Sequence, residues 1–425
     1  MDPALFPFRT WGRIQKDLLY GGGELLSHGH RSGDENLRQA IAEYLRAYRG
    51  VECTNGQIVV GAGMEYLLGL VAQLLRGSTA AIENPGYGRS RTILENCGVP
   101  CRCVDIDESG LSVEALETSG ANLCYVTPSH HFPTGVTMPV GRRVQLLQWA
   151  QSSEGRYILE DDYDAEFRFD MRPLPSLQGM AGPGGPVIYL CTFSKSLAPG
   201  IRIACMVLPT SLLPRWQEKF GTYSSTVSRF EQQTLHRFLT EGYFTRHLAR
   251  MRKTYKSRME HLVQELEDAF GSERISLRGQ HTGLHLLLTL HGSCGEEAMV
   301  AAAAAYLAAQ NGYQSALMAP TEILAEQHYA SLSKLLEPLG IKTALLTGSL
   351  TPKNKTIVRE MLENGEVDLV IGTHALVSDS TVFKKLGMVI ADEQHRFGVG
   401  QRAKLAAKGT DPHLLVMSAT PIPRT

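Results

Sequence analysis

The feature that most constrains this chain is a pattern it uses twice. A short apolar run ends in Gly, Asp, Ser or Thr, a polar turn follows, and a stretch of helical periodicity comes next. Strands of that kind need helices to cover them, so the pattern dictates an α/β architecture with a mostly parallel sheet. Candidate strands in the first part are Ile58–Val60, Ala80–Glu83, Leu123–Thr127, Tyr157–Glu160, Val187–Phe193 and Ala204–Leu208. Ligands in such sheets sit at the strand ends. Between Phe220 and Phe270 the chain reads as one long, charged helical stretch. Its interleaved acidic residues favour a solvated face over a nucleic-acid patch.

The strand-then-helix pattern restarts after an alanine-rich helix, AMVAAAAAYLAAQ, as ALMAPT, TALLTG, DLVIGTHAL, MVIADEQH and LLVMSAT. A chain of 425 residues exceeds what one core usually organises, so two domains are expected, residues 1–299 and 300–425. The formal net charge of -1 gives the whole chain no electrostatic reason to bind nucleic acid strongly, although a local basic surface stays open. The eight cysteines form no CxxC pair and read as reduced, mostly buried thiols. Cys97, Cys101 and Cys103 cluster, but at a spacing unlike the common metal sites. No apolar run approaches the ~20 residues of a membrane span, and MDPALFPFRTWGR lacks a signal-peptide core, so a cytoplasmic location is expected.

Two constellations carry chemistry. In VIYLCTFSKSLAPGIRIA a predicted strand ends in a Ser- and Gly-bearing loop holding Lys195, with Arg202 seven residues on. A nucleophilic amine needs such a strand-end position, though SKS alone is commonplace on surface loops. In YILEDDYDAEF, Asp161 and Tyr163 leave a strand two residues apart and project toward one side. A buried carboxylate there can keep a pyridine nitrogen protonated, and a phenol beside it can bond a ring hydroxyl.

With FPFRTWGR, GAGMEYLLGL, ENPGYGRSR, TPSHHFPTGVTMP, ILEDDYDAEFRF and TFSKSLAPGIR in order, residues 1 to about 300 resemble the aminotransferase-like domain of MocR-type regulators, a fold-type I pyridoxal-phosphate (PLP) family. The resemblance implies that Lys195 is the covalent attachment point, Asp161 pairs with the pyridine nitrogen, Tyr163 bonds the phenolic oxygen and Tyr87 stacks on the ring. It also implies a phosphate cup made by the backbone of Gly63, Met64 and Glu65 at a helix start, completed by Thr192, Ser194 and Arg202. Homodimerisation through this domain is implied as well.

Some positions depart from the family. Met64 stands where a hydroxyl donor is expected, a loss of about 1 kcal/mol or somewhat more. His28 stands where a tyrosine commonly reaches the neighbouring subunit's phosphate. The chain begins where the PLP domain begins, so a winged-helix DNA reader is not expected in it. The small domain is expected to stop soon after GLHLLLTL, and with it the arginine that clamps a substrate carboxylate.

The second constellation is MVIADEQH, an apolar strand ending in Asp392 and Glu393, the pair an NTPase uses to hold Mg²⁺ and orient water. A lone acidic pair is common at strand ends, but APTEILAEQH, LLTGS, IGTHAL, DEQHRFGVGQR and SATPIPRT together resemble the first motor domain of RecG-type DNA helicases, a partial RecA-like fold. This implies a DNA path along Pro320, Thr321, Glu322, Gly372 and Thr373, coupling through Ser418, Ala419 and Thr420, and latent Mg²⁺ binding at Asp392. Weak DNA binding through this part follows, and Mg-ATP is implied by resemblance alone. The phosphate loop G-x-x-x-x-G-K-[ST] does not occur in the sequence; GSCGEEAMV stands in its place, with Glu296 and Glu297 and no lysine.

Three readings follow: a PLP-dependent aminotransferase-like domain, a RecG-type motor fragment, or a truncated fusion with neither activity. At the seam, LHLLLTL is expected to supply the central strand of the second sheet, with Leu284–Leu290 paired there and Gly292–Glu297 forming an imitation phosphate loop.

Overall fold

The computed structural model describes residues 2–21, 23–169, 174–291, 295–392, 404–410 and 412–417. The chain divides into two compact units, Met1–His291 and Gly292–Thr425.

The first unit is built on strands β1 (Ile58–Gly61), β2 (Ala80–Asn84), β3 (Cys101–Asp107), β4 (Gly110–Leu111), β5 (Leu123–Val126), β6 (Tyr157–Asp162), β7 (Val187–Thr192) and β8 (Ala204–Val207), in the order β1-β8-β7-β6-β5-β2-β3-β4. Strands β3, β2, β5, β6 and β7 are mutually parallel, and β8 runs antiparallel to both β7 and β1. All six expected strands form. The edgeward β3 was not foreseen, because CRCVDID buries only Val104 and carries no apolar run.

Side-chain alternation divides the core. Tyr189, Cys191, Cys205 and Val207 point to one face, against helices Glu35–Arg49 and Arg229–Thr240; Ile188, Leu190, Ala204 and Met206 point to the other, against Met64–Leu74 and Leu213–Phe220. Each fully buried Leu on these faces contributes roughly 1.5–3 kcal/mol, so many such contacts outweigh any single polar one. The expected long helix is interrupted: Leu213–Phe220, Arg229–Thr240 and Tyr243–Phe270 are separate, and Gly242 at φ 73° breaks the last two apart. A 3.6-residue period identifies helical residues but cannot see a left-handed glycine between two of them.

After helix Tyr243–Phe270 come β9 (Ile275–Arg278) and β10 (Leu287–Leu290), which pair antiparallel with Leu288 opposite Leu277. The expectation that Leu284–Leu290 joins the second sheet is therefore overturned. The run is tied into the first unit: Leu284 N–H donates to Asp164 Oδ2 (3.1 Å), and Gly283 N–H to the Phe167 carbonyl (2.6 Å).

The reason lies in the second unit. Its strands β11 (Gln314–Met318), β12 (Thr343–Leu346), β13 (Leu369–Gly372), β14 (Leu386–Asp392) and β15 (His413–Met417) form a parallel sheet in the order β12-β13-β11-β14-β15. The central place belongs to β11, which pairs with β13 on one side and β14 on the other, so the ladder has no gap for another strand. Helices Glu296–Gln310 and Glu322–Leu336 cover one face through Leu317, Ile371 and Ile390. Of the expected imitation loop, Gly292, Ser293 and Cys294 lie outside the described residues, and Gly295 caps helix Glu296–Gln310.

Of the described cysteines, Cys53, Cys124, Cys191 and Cys205 are buried, Cys101 is half-buried, and Cys97 and Cys103 are exposed. All are free thiols.

Gly283 sits at φ 73°, and a Cβ there would lie 1.7 Å from His130 Nδ1 and 2.6 Å from Asp164 Oδ2. Gly77 has φ 93° with open space around its missing Cβ. Gly77→Ala should therefore lose only the backbone strain, about 1–3 kcal/mol, whereas Gly283→Ala adds overpacking of about 1–3 kcal/mol more. Urea unfolding of both variants checks this, and equal losses would contradict the close approach at Gly283.

Candidate functional site

The candidate site of the first unit follows from strand register. Gly61 of β1 lies opposite Ala204 of β8, and Ala204 lies opposite Thr192 of β7. Continuing the antiparallel count past Gly61 and back from Ala204 brings Gly63 to Arg202. The side chains agree: a Cβ on Gly63 (φ 95°) would stand 2.4 Å from Arg202 Nη2. Gly63 is the N-cap of helix Met64–Leu74, so its unpaired N–H groups open beside that guanidinium. Arg202 has φ 54°, the one positive value among the described non-glycine residues. Beyond β7 the chain turns through Phe193–Leu197, held by Leu197 N–H to the Phe193 carbonyl (2.8 Å). Lys195 is exposed on this turn. Thr192 Oγ1 donates to Ser194 Oγ at 2.9 Å and accepts from Ser194 N–H at 3.2 Å, so the two hydroxyls form one pair.

Asp161 lies near the C-terminal end of β6, in register with Leu190 of β7. It is 5% exposed. Its Oδ2 accepts a hydrogen bond from the Tyr125 hydroxyl, while Oδ1 is buried with no partner. Burial raises its carboxyl to about 7; the Asp162 and Asp164 charges add to that, and the Tyr125 hydrogen bond opposes it. Tyr163 is half-buried and donates to the His130 carbonyl at 2.9 Å; burial, then the Asp164 charge, pushes its phenol well up. Tyr87 is exposed and meets Phe132 edge-on, ring centres 5.8 Å apart. Met64 opens the helix, and Glu65 in the next position turns its carboxylate onto Arg202, 2.7 Å away. His28 is exposed.

Sequence reasoning missed a buried network next to this group. His130 Nδ1 lies 2.9 Å from Asp164 Oδ2, and the His130 ring packs on His285 with centres 4.0 Å apart. His131 Nδ1 lies 2.7 Å from Thr134 Oγ1, and its Nε2 stands 3.4 Å from Glu83 Oε2 without completing a hydrogen bond. Glu83 is raised to about 8 by burial, despite two bonds from Thr127. His130 and His131 lie in TPSHHFPTG, Asp164 in EDDYDAEF, Glu83 in ENPGYGRSR and His285 in GLHLLLTL, and no motif signals that their side chains converge.

In the second unit, Pro320, Thr321 and Glu322 follow β11, Gly372 ends the adjacent β13 and Thr373 comes next. Ala319 N–H donates to the Gly372 carbonyl at 2.8 Å, so the two segments do come together at the C-terminal edge of the sheet. Thr321 caps helix Glu322–Leu336, Glu322 Oε1 accepts from Ser349 N–H at 3.1 Å, and Thr373 Oγ1 is buried without a partner. Asp392 ends β14, 2.7 Å from His328 Nε2. Glu393, Ser418, Ala419 and Thr420 lie outside the described residues. A cavity of about 330 Å³ is lined by Gly295, Glu297, Ala298, His328 and Asp392 among others.

The pKa directions set a pH dependence. Burial raises Glu83 to about 8 and Glu160, Asp161 and Glu166 each to about 7, while it lowers His131 to about 4. From about pH 7 upward His131 and the other histidines that burial lowers, His30, His236, His247 and His285, are largely neutral in both states, so the carboxylates decide: the native protein holds protons that the unfolded chain has released. Stability should therefore fall as pH rises from about 7 to about 8.5, and less steeply in Asp161→Asn. Thermal unfolding across that range checks it, and a stability that rises with pH would contradict the assigned burial.

Known proteins match both parts. The aminotransferase class I and II family model matches residues 4–333 and the DEAD/DEAH box helicase model residues 296–425. Both claim 296–333; the pairing of β11 with β13 and β14 puts its strand with the helicase-like part. The uncharacterised HTH-type transcriptional regulator YdeL of Bacillus subtilis is 38% identical over 302 residues, 71% of this chain and 65% of that protein. The ATP-dependent DNA helicase RecG of Bacillus subtilis is 55% identical over 137 residues, 32% of this chain and 20% of RecG. The chain thus spans just under two thirds of the regulator and a fifth of the helicase. Among solved structures, Pyrococcus horikoshii kynurenine aminotransferase (25% identity, TM-score 0.62, covering 71% of this chain and 77% of that one) and Thermus thermophilus LysN, an α-aminoadipate aminotransferase (28%, 0.61, 71% and 77%), share the fold of the first unit. The chain belongs to the aminotransferase class I and II family; that part is similar to MocR-like regulators, and it is fused to a segment similar to the DEAD/DEAH box part of RecG helicases.

Proposed function

We propose that the first unit, residues 1–291, forms a pyridoxal-phosphate-binding module, eight residues shorter than the 1–299 expected from the sequence, and that residues 292–425 form a RecG-like motor segment that does not hydrolyse ATP. The observation that carries the first half is Asp161: a buried carboxylate with one oxygen fixed by Tyr125 and the other without a partner. Such an oxygen suits the N–H of a pyridine ring. The other positions fit the same ligand. Lys195 on the turn after β7 supplies the amine, and Tyr163 lies two residues past Asp161 for the ring oxygen. Tyr87 offers a ring face, Gly63, Met64 and Glu65 open a helix beside Arg202, and Thr192 and Ser194 would add hydroxyls for a phosphate there. When bound, the cofactor supplies an electron sink for bonds at an amino acid's α-carbon. The two similar aminotransferases are described with PMP and with N-(5'-phosphopyridoxyl)-L-leucine, respectively. Homodimerisation through this module and a cytoplasmic location belong to the same reading; among the described residues no helix is long and apolar enough to cross a membrane.

For the second half, a triphosphate needs a glycine loop and a lysine, and here helix Glu296–Gln310 opens on two glutamates. Glu297 shares the cavity with Asp392, so carboxylates line the place where phosphates and Mg²⁺ would meet. Like charge repels the nucleotide. Weak, salt-sensitive DNA binding along Pro320–Glu322 and Gly372–Thr373 is compatible with this, because backbone contacts need no ATP.

Titration with pyridoxal phosphate should give a saturable imine absorbance in the wild-type chain and none in Lys195→Ala; an equal change in both overturns the assignment. Transamination of common amino acids should be undetectable or very slow, because the arginine that orients the substrate carboxylate is not expected in this chain. Ordinary turnover would contradict that. Mg-ATP should show no saturable binding, and binding abolished by Asp392→Ala would refute the second half.

A further inference from the structure

The helix start beside Arg202 already has an anion on it. Glu65 lies in the first turn of helix Met64–Leu74 and folds its carboxylate back: Oε2 is 2.7 Å from Arg202 Nη2, and Oε1 is 3.3 Å from Arg89 Nη1. A Cβ added to Gly63 would lie 2.4 Å from Arg202 Nη2 and 3.1 Å from Glu65 Oε2, so guanidinium and carboxylate lie together over the N-cap. The N–H of its own backbone, then Arg202, holds the Glu65 carboxyl below its ordinary range, which keeps it charged at neutral pH. The backbone donors and Arg202 are the groups that a phosphate monoester would use. The local charge is +1 from Arg202, +1 from Arg89 and −1 from Glu65.

We propose that Glu65 is a specificity-determining residue of this turn: its carboxylate competes with the incoming phosphate for Arg202 and the helix N-terminus, so the site favours phosphorylated over unphosphorylated pyridoxal less than the two arginines alone would dictate. This rests on the reading of residues 1–291 as a pyridoxal-phosphate module. A dianion has two routes into the turn. It displaces Glu65 from Arg202, or it binds beside a like charge. Either route reduces its affinity, whereas an aldehyde without phosphate meets no such competition. The side chains of Glu65 and Arg202 are 36% and 52% exposed, so solvent screens the effect and keeps it modest. A glutamine at this position keeps the size and hydrogen bonding of the side chain and removes only the charge.

The test titrates the full chain, Glu65→Gln and Glu65→Ala with pyridoxal phosphate and with pyridoxal, following imine absorbance at low and high salt. Both variants should raise the ratio of pyridoxal phosphate to pyridoxal affinity about three- to tenfold at low salt, with a smaller gain at high salt. Inorganic phosphate should compete with pyridoxal phosphate at lower concentration in Glu65→Gln than in the wild type. A ratio that is unchanged or reduced in both variants, with wild-type absorbance still dependent on Lys195, overturns the role of Glu65 alone. Absence of any Lys195-dependent absorbance with either aldehyde overturns the underlying reading, and this inference with it.

Discussion

The reversal of β8 between β1 and β7 is the constraint on which the candidate site depends. With β8 antiparallel to both neighbours, Gly61, Ala204 and Thr192 fall in one row, and the residues just beyond them meet although they are far apart in sequence. Gly63 takes φ 95°, a conformation that L side chains rarely adopt, and the Arg202 guanidinium lies over it, with Arg202 itself the left-handed residue of the turn before β8. A register slip of one residue would send Arg202 to the opposite face and exchange the apolar sets packed on the two sides of the sheet. The same hydrogen-bond ladder thus fixes both the core and the geometry of the candidate phosphate turn.

The second determinant is the density of buried acid. Glu83, Glu160, Asp161, Asp162, Asp164 and Glu166 are all buried within this unit. Some have a clear structural duty: Glu160 accepts from the N–H groups of Leu177 and Gln178 at the start of a short helix, and Asp162 is paired with the buried Arg49. Asp161, like Glu166, is satisfied only by a tyrosine hydroxyl and keeps one buried oxygen without a partner, but Asp161 stands near the C-terminal end of β6, the edge at which ligands of such sheets bind. An unsatisfied buried acceptor costs about 1–3 kcal/mol, which folding alone gives no reason to retain. A cationic ring N–H against that oxygen turns the same atom from a liability into a contact. In the second unit the acidic residues act in the opposite direction: Glu297 and Asp392 line one cavity with no lysine or arginine among its described lining residues.

Much of this was legible in the sequence because it is local. Apolar runs bounded by small residues marked the strands of both sheets, and the order of motifs placed Lys195, Asp161 and Arg202 at strand ends. What was not legible depends on contacts distant in the chain. The run LHLLLTL has the composition of a central strand, and its true partner, ISLR, is a half-polar segment that periodicity does not single out; only the completed ladder around β11 shows that the second sheet has no place for it. His130, Asp164 and His285 come from three segments, and their convergence follows from the pairing of Gly283 with Phe167. The Glu65 carboxylate escaped notice because the motif assigned its backbone, not its side chain, to the phosphate.

The central claim is that Asp161 is a buried acid whose free oxygen receives a pyridine N–H. Infrared difference spectroscopy tests it most directly. At about pH 6, below the raised value of Asp161, the wild-type protein should show a protonated-carboxyl C=O band that is missing from Asp161→Asn, and pyridoxal phosphate should bleach that band as the ring nitrogen takes the proton. Glu83, Glu160 and Glu166 are protonated at that pH as well, so the decisive signal is the component that Asp161→Asn removes: its absence from the wild type, or its survival at saturating pyridoxal phosphate, would contradict the account.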